Sequence, residues 1–456
     1  MRRSLEPEDK AREVVDACTD CDCCRPPMDP PCAVFAELYR LWDRERESGE
    51  RISPAALRRM VDLCNFCALC PCPNIRADLI EAKTMFAARD GLARSARLLQ
   101  DVERLARACG MFPKVVNHAA AGGFLKPLLK KAAGIHPLSR MPKFPRESFD
   151  RWAADRNLQE SPQGEPEKKI AYFTGCTGRF LFPEVAQAAT EVLQHSGVSV
   201  QFPGQCCCGM PPFLEGDRSL ALKFASENID RLAGLVKEGY AIVCTCPTCA
   251  FMLRRVISEG AYYSDRYQKK VGGDEKHISV PADRSGRGKD LVSLSKTIYG
   301  GILKDEGYFS SIDSLERIRV AENTWDLGEY LFDLHDSGKL VLPETGRQKR
   351  IVYFAPCHQR EQEIGTPYAA LMSRISGGRL ETVDGRFYCC GMAGIMGFKK
   401  DFRDVSVQMG RPLFEKIREL APEVLATDCL SCRLQFQQHL PYPVRHPIEI
   451  IREVLK

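Results

Sequence analysis

Residues 168–176 read KKIAYFTGC and residues 350–357 read RIVYFAPC. Each is a short apolar run ending on a cysteine. Runs of this length, bounded by polar residues, predict buried strands. Residues 240–246, YAIVCTC, and 423–429, EVLATDC, repeat the pattern. Between them stand amphipathic stretches such as DRSLALKFASENIDRLAGLV at 217–236 and DVSVQMGRPLFEKIREL at 404–420. Strands alternating with helices predict an α/β fold with mainly parallel sheet. In such sheets the functional crevice lies off the carboxyl ends of the strands. Cys176, Cys246, Cys357 and Cys429 are expected there.

These four belong to larger sets. Cys176, the pair Cys207–Cys208 before Gly209, and Cys246 with Cys249 form one. Cys357, the pair Cys389–Cys390 before Gly391, and Cys429 with Cys432 form the other. Equivalent members are offset by 181, 182, 182, 183 and 183 residues. A near-constant shift of five cysteines in one order marks a duplicated module. Five thiols exceed the four of a tetrahedral zinc site. Adjacent cysteines suit a multi-iron cluster with bridging sulfur better than one small ion. The glycine after each pair permits positive φ or close backbone approach. Structural zinc or reduced buried thiols stand as the alternative.

Two further groups lie near the start. CTDCDCCRPPMDPPC at 18–32 holds Cys18, Cys21 and Cys24 at C-x2-C-x2-C spacing, then Cys32. CNFCALCPCP at 64–73 holds Cys64, Cys67 and Cys70 at the same spacing, then Cys72 before Pro73. Such triplets grip three irons of a cubane, and in two-cluster ferredoxins the fourth ligand serves the other cluster. On that logic Cys18, Cys21, Cys24 and Cys72 would hold one [4Fe–4S] cluster. Cys64, Cys67, Cys70 and Cys32 would hold the other. The spacing to the fourth cysteine departs from the bacterial run, so cross-ligation is a weaker expectation than the clusters themselves. A zinc site is again the alternative.

The triplets are expected on loops between helices. Residues 1–15 read as a frayed helix. Residues 33–62 read helical, with Val34, Leu38 and Leu41 on one face, Ser53 as N-cap and Pro54 at the next helix's first position. IRADLIEAKTMFAARDG predicts another helix, stopped near Gly91. The whole chain thus divides into an α-helical ferredoxin-type region for two [4Fe–4S] clusters at 1–90 and a basic helical connector at 91–167. A first cysteine-rich α/β module at 168–255, a polar insertion at 256–348 and a second module at 349–456 follow. Within the insertion, GGDEKHISVPADRSGRGKD reads as flexible.

Composition narrows the class. The 456 residues are 44% hydrophobic and 27% charged, as in a globular protein with sizeable cores. No run of 18 apolar residues exists, so no transmembrane span is expected. The opening residues carry no apolar h-region, which argues against a secretory signal. Without an export signal, 22 cysteines point to metal rather than disulfides. Residues 89–147 hold 12 Lys or Arg against four Asp or Glu, whereas the whole chain is only +5. There, FLKPLLKKAAGI reads as a short amphipathic helix packed on its own domains, with docking to an acidic partner or anionic membrane as the sharper reading. Two oxidised cubanes with four thiolates each would carry about −2 apiece and bring the total to roughly +1. No G-x-G-x-x-G follows a predicted strand, so neither NAD nor flavin is expected here. No nucleic-acid module is apparent.

With these motifs in view the chain resembles the CCG-domain iron–sulfur oxidoreductases. That group includes the C subunit of anaerobic glycerol-3-phosphate dehydrogenase, the B subunit of heterodisulfide reductase and the iron–sulfur subunit of glycolate oxidase. The resemblance rests on APCH, YCCGMAGIMGFKK, TDCLSC and RHPIEII in the second module. In the first it rests on GCTGRF, QCCCGMPP and CPTC, and it extends to the N-terminal triplets. It implies an iron–sulfur electron-transfer subunit of an anaerobic oxidoreductase complex. A dehydrogenase or other redox subunit would be the partner, and a quinone, a membrane-bound partner or another acceptor would complete the path. It implies one or two further [4Fe–4S] clusters at the CCG motifs, noncubane in the heterodisulfide reductase branch. The rival implication is a catalytic disulfide or heterodisulfide reductase subunit. The expected compartment is cytoplasmic, including the inner membrane face. No catalytic residue is assigned, and no cofactor-binding residue beyond the cluster ligands.

Other residues attract lesser expectations. His358 could hydrogen-bond a cluster sulfur, but a satisfied turn residue is the plainer reading. Lys399 and Lys400 could face an anionic cluster or a partner, but a solvated helix start is the plainer reading; His446 reads as a strand-ending cap and Tyr388 as packing. Cys23, Cys109, Cys206 and Cys244 are left over, the last two near enough in sequence to substitute for ligands.

Overall fold

A computed structural model describes residues 6–456 except 29–31, 68–69, 71, 111–112, 122–129, 162–163, 165, 284–289, 344–348, 378 and 386–387. Two four-stranded parallel sheets dominate it. The first runs β2 (Ser199–Gln201), β1 (Lys169–Phe173), β3 (Ala241–Cys244), β6 (Thr324–Asp326). The second runs β8 (Leu380–Asp384), β7 (Ile351–Ala355), β9 (Val424–Ala426), β10 (Val444–Arg445). Counted within each sheet, both orders are 2-1-3-4, so the cysteine repeat is matched by a repeat of topology. Ile170 pairs with Ala241 in the first sheet, and its counterpart Ile351 with Val424 in the second.

The central strands β1, β3, β7 and β9 are largely apolar because helices cover both faces. Along β1, Ile170 and Tyr172 enter one core while Ala171 and Phe173 enter the other. β7 behaves alike: Tyr353 joins the first of these cores and Val352 and Phe354 the second. Each core runs continuously through both modules, which therefore share their hydrophobic interior.

Two features of the stretch 256–348 depart from the sequence reading. Part of GGDEKHISVPADRSGRGKD is regular: β4 (His277–Pro281) pairs antiparallel with β5 (Leu291–Ser295), which follows it, while residues 284–289 lie outside the described residues. Farther on, β6 supplies the first sheet's fourth strand, Ile242 pairing with Thr324. Three residues of TWD carry too little periodicity to announce a strand, and pairing with β3 decides it.

The N-terminal region is helical: Pro7–Cys21, Ala33–Ser48, Pro54–Asp62 and Pro73–Asp90. Ser53 caps as expected, accepting from Ala56 N at 3.3 Å, with Pro54 next. The first helix is packed rather than frayed, burying Ala11, Val14 and Val15. It also runs on through Cys18 and Cys21, which the sequence reading assigned to a loop. A C-x2-C spacing is i, i+3, one helical face, and the helix ends only at Asp22, with φ +49°.

In the connector, Phe149–Ala154 packs on the first module, and Arg179 from that module reaches Asp150 at 2.6 Å and Glu103 at 3.2 Å. Residues 124–129 of FLKPLLKKAAGI lie outside the described residues. Beyond them Lys130 is buried and donates to Pro137 O and Ser139 O, both at 2.6 Å, while Ile135 bridges to Lys399. Among the described residues no helix is long and apolar enough to cross a membrane.

Candidate metal centres

All ten cysteines of the repeated sets sit just beyond the carboxyl ends of strands. Cys176 follows β1 in helix Gly175–Phe180, Cys207 and Cys208 follow β2, and Cys246 and Cys249 follow β3. Cys357, the Cys389–Cys390 pair, and Cys429 with Cys432 follow β7, β8 and β9 likewise. The sequence reading placed four there. The pairs join them because β2 and β8 end on the same edge. Cys176 and Cys207 sulfurs are 3.5 Å apart, and those of Cys390 and Cys432 are 3.1 Å apart.

The sets do not stand alone. Nine of their ten cysteines, Cys207 excepted, line a single cavity together with Cys67 of the second N-terminal triplet. Cys246 and Cys429, one from each module, interact directly through their thiols. Thr248 Oγ1 lies 4.0 Å from Cys429 Sγ across the same boundary. Burial, then Cys67 and Cys390, push the Cys357 thiol well up. The outer wall is apolar, formed by connector residues Leu99, Val102, Leu105, Met141 and Phe144 with Leu181 and Leu434. Among the described residues lining the cavity, none is Asp, Glu, Lys or Arg.

In the N-terminal region the thiols of the two triplets, of Cys32 and of Cys72 act on one another. Burial, followed by Cys70, Cys24, Cys72 and Cys21, pushes the Cys18 thiol up to about 12. Cys24 is raised by burial and then by Cys72 and Cys21. Cys32 is raised by burial, with Cys67 and Cys64 its thiol neighbours. So Cys72 gathers with the first triplet and Cys32 with the second, while Cys70 feels Cys64 and Cys67 and also acts on Cys18. Cys32 and Cys72 each occupy the N-cap of a long helix, Ala33–Ser48 and Pro73–Asp90, and Cys429 that of Leu430–His439.

Among the described residues no three Cys, His, Asp or Glu side chains converge on a single metal ion. A polynuclear cluster asks for something different, since each thiolate binds its own iron. An all-thiol donor set in a mostly apolar cavity without acidic or basic lining residues suits iron–sulfur ligation. Of the remaining cysteines, Cys206 donates to Glu227 Oε2 at 2.8 Å, Cys244 is buried in β3, Cys109 packs beside Phe144 and Phe180, and Cys23 is exposed.

Three non-cysteine residues take defined places. His358 is buried, stacks on Phe251 at 5.0 Å, donates from Nε2 to Phe66 O at 3.2 Å and meets Thr248 Oγ1 through Nδ1 at 3.0 Å. It thereby ties the second module to the first and to the N-terminal region, as a satisfied residue. Lys399 is not solvated: it is buried and pairs with Glu215 at 2.8 Å, whereas Lys400 is exposed. The expectation failed because the partner lies 184 residues away in sequence. His446 follows β10 and caps helix Pro447–Leu455, Nδ1 accepting from Ile448 N at 3.1 Å.

That cap predicts a pH effect. Burial, reinforced by Arg433, holds the His446 pKa down to about 3 from its ordinary 6.5. The unfolded chain therefore binds a proton below 6.5 that the folded chain refuses. The stability this residue confers is complete above pH 6.5 and declines as pH falls toward 3, by about 1.4 kcal/mol per unit. His446→Asn keeps a good cap. Denaturant melts at pH 6 and 5 should differ less for this variant than for the wild type, by about that amount.

The α/β module with cysteines at its strand ends is the CCG cysteine-rich domain, and the chain carries it twice, at residues 170–254 and 351–437. The two segments contain all ten cysteines of the repeat. The chain is 26% identical over 346 residues to the C subunit of anaerobic glycerol-3-phosphate dehydrogenase from Escherichia coli K12, covering 75% of this chain and 73% of that one. It is 23% identical over 284 residues to the B subunit of the CoM/CoB fumarate reductase from Methanothermobacter marburgensis, covering 62% and 44%. Over 279 residues it is 35% identical to an uncharacterized iron-sulfur protein of Methanocaldococcus jannaschii, covering 60% and 42%.

Proposed function

We propose that this chain is the iron–sulfur electron-transfer subunit of an oxidoreductase complex. Cys18, Cys21, Cys24 and Cys72 would hold one [4Fe–4S] cluster and Cys32, Cys64, Cys67 and Cys70 a second. The two CCG sets would hold one or two more. Bound clusters supply one-electron transfer at potentials set by ligands, hydrogen bonds to sulfur and solvent exclusion. The observation that carries this reading is the position of Cys67. It belongs to an N-terminal triplet yet lines the cavity of the CCG cysteines, so the two regions abut where an electron would cross.

The chain's own residues do the rest. Leu99, Val102, Leu105 and Phe144 give the cavity apolar lining beside the thiols. Their uncharged wall supports an apolar acceptor such as a quinone over an anionic one. A dehydrogenase partner would supply electrons, as the name of one relative suggests. A cytoplasmic site, at or near the inner membrane face, accords with this.

Anaerobic iron and sulfide counting with EPR tests the proposal. Eight or more irons with interacting cubane signals are expected, at four per cluster; fewer than about four per chain would end it. The shared cavity also supports a second reading, disulfide reduction at the CCG thiols themselves. Disulfide turnover by the isolated protein with reduced viologen would select that reading. Turnover only with a donor protein and a quinone would select the relay.

A further inference from the structure

Lys83 is a buried cation that the relay as described does not use. It lies on helix Pro73–Asp90, is 4% exposed, and sends Nζ to three backbone carbonyls. Cys64 O and Leu214 O accept at 2.9 Å and Asp62 O at 3.3 Å. Three acceptors require three N–H donors, which only the ammonium form provides. One acceptor is the carbonyl of a cysteine of the second triplet, and another belongs to the first CCG module. Beside them Glu215 pairs with Lys399 of the second module. Lys83 therefore stands where the N-terminal region and both modules meet; burial pulls its pKa down, while the carboxylates of Asp62 and Glu215, and then Cys64, favour its charged form.

We infer that Lys83 is a positioning residue that raises the reduction potential of the cluster held by Cys32, Cys64, Cys67 and Cys70. The inference rests on the relay reading above. A reduced cluster is one charge more negative than an oxidised one, so a fixed cation nearby, in a water-poor site, stabilises the reduced form. The first triplet has different surroundings. Burial and other thiols are the leading influences on Cys18 and Cys24, and the neighbouring Arg25 is turned to Asp43. The two cubanes should then differ in potential. The one beside the CCG cavity would sit higher, which draws electrons toward that cavity.

The test is an EPR-monitored redox titration of the full-length holoprotein with parallel iron counting. Lys83→Gln keeps a hydrogen-bonding side chain without charge, and Lys83→Arg keeps the charge. With iron content intact, Lys83→Gln should lower one cubane midpoint by at least tenfold in its one-electron equilibrium, about 59 mV. The other midpoint should stay in place, and Lys83→Arg should largely restore the first. Should Lys83→Gln fail to fold, Glu215→Gln makes the opposite charge change at the same junction and should move the same midpoint upward. Unmoved midpoints in an iron-replete variant overturn the inference and leave the relay reading standing. Absence of cubane signals from the wild type would instead remove the relay reading itself.

Discussion

Gly391→Ala should collapse the second CCG site, while Gly209→Ala at the matching position of the first module should be tolerated. Both glycines have positive φ, +78° and +91°. That conformation alone costs an alanine roughly 1–2 kcal/mol. The surroundings then separate them. A Cβ on Gly391 would stand 2.0 Å from Ser406 O and 3.0 Å from Gly410 N, both backbone atoms of helix Arg403–Leu420. A Cβ on Gly209 meets nothing nearer than Ala221 O at 3.4 Å. Gly391 also donates to Cys389 Sγ at 3.3 Å and accepts from Ser406 Oγ at 2.6 Å, so its displacement carries the cysteine pair with it. Strain plus backbone overlap should cost Gly391→Ala about 4 kcal/mol or more. Thermal melts and iron counts on both variants decide the matter. Equal losses would mean that the helix is free to move aside.

Cys67→Ala should sever the electron path. Its thiol is the N-terminal member of the shared cavity, beside Cys357 and Cys389. The variant should lose about four irons per chain and the corresponding cubane signal. Rapid reduction of the CCG clusters by a donor that acts at the N-terminal region should be lost with them. Cys109→Ala is the matched control, because Cys109 packs beside Phe144 and Phe180 and belongs to neither grouping. A Cys67→Ala protein with full iron and unchanged electron delivery would exclude Cys67 from ligation and from the path.

Both expectations begin in features of the sequence. The constant 181–183 residue offset of the five cysteines disclosed the duplication, and a repeated order of chemistry-bearing residues needs no structure to be seen. The apolar runs ending at Cys176, Cys246, Cys357 and Cys429 located four strands and their carboxyl ends, because a strand buried on both faces must be apolar along its length. Ser53 and Pro54 announced a helix start for a local reason, hydrogen bonding within one turn.

What depended on contacts distant in sequence could not be read that way. The strand at Thr324–Asp326 exists because β3 offers it a partner, not because three residues prefer extension. Lys399 looked solvated because its carboxylate partner, Glu215, comes from another module. The convergence of both cysteine sets and Cys67 on one cavity, and the three carbonyls around Lys83, arise only when the three regions pack. Local spacing nominates the cysteines proposed as iron ligands. Which of them face one another is set by burial of apolar surface shared among the regions, a property of the folded whole.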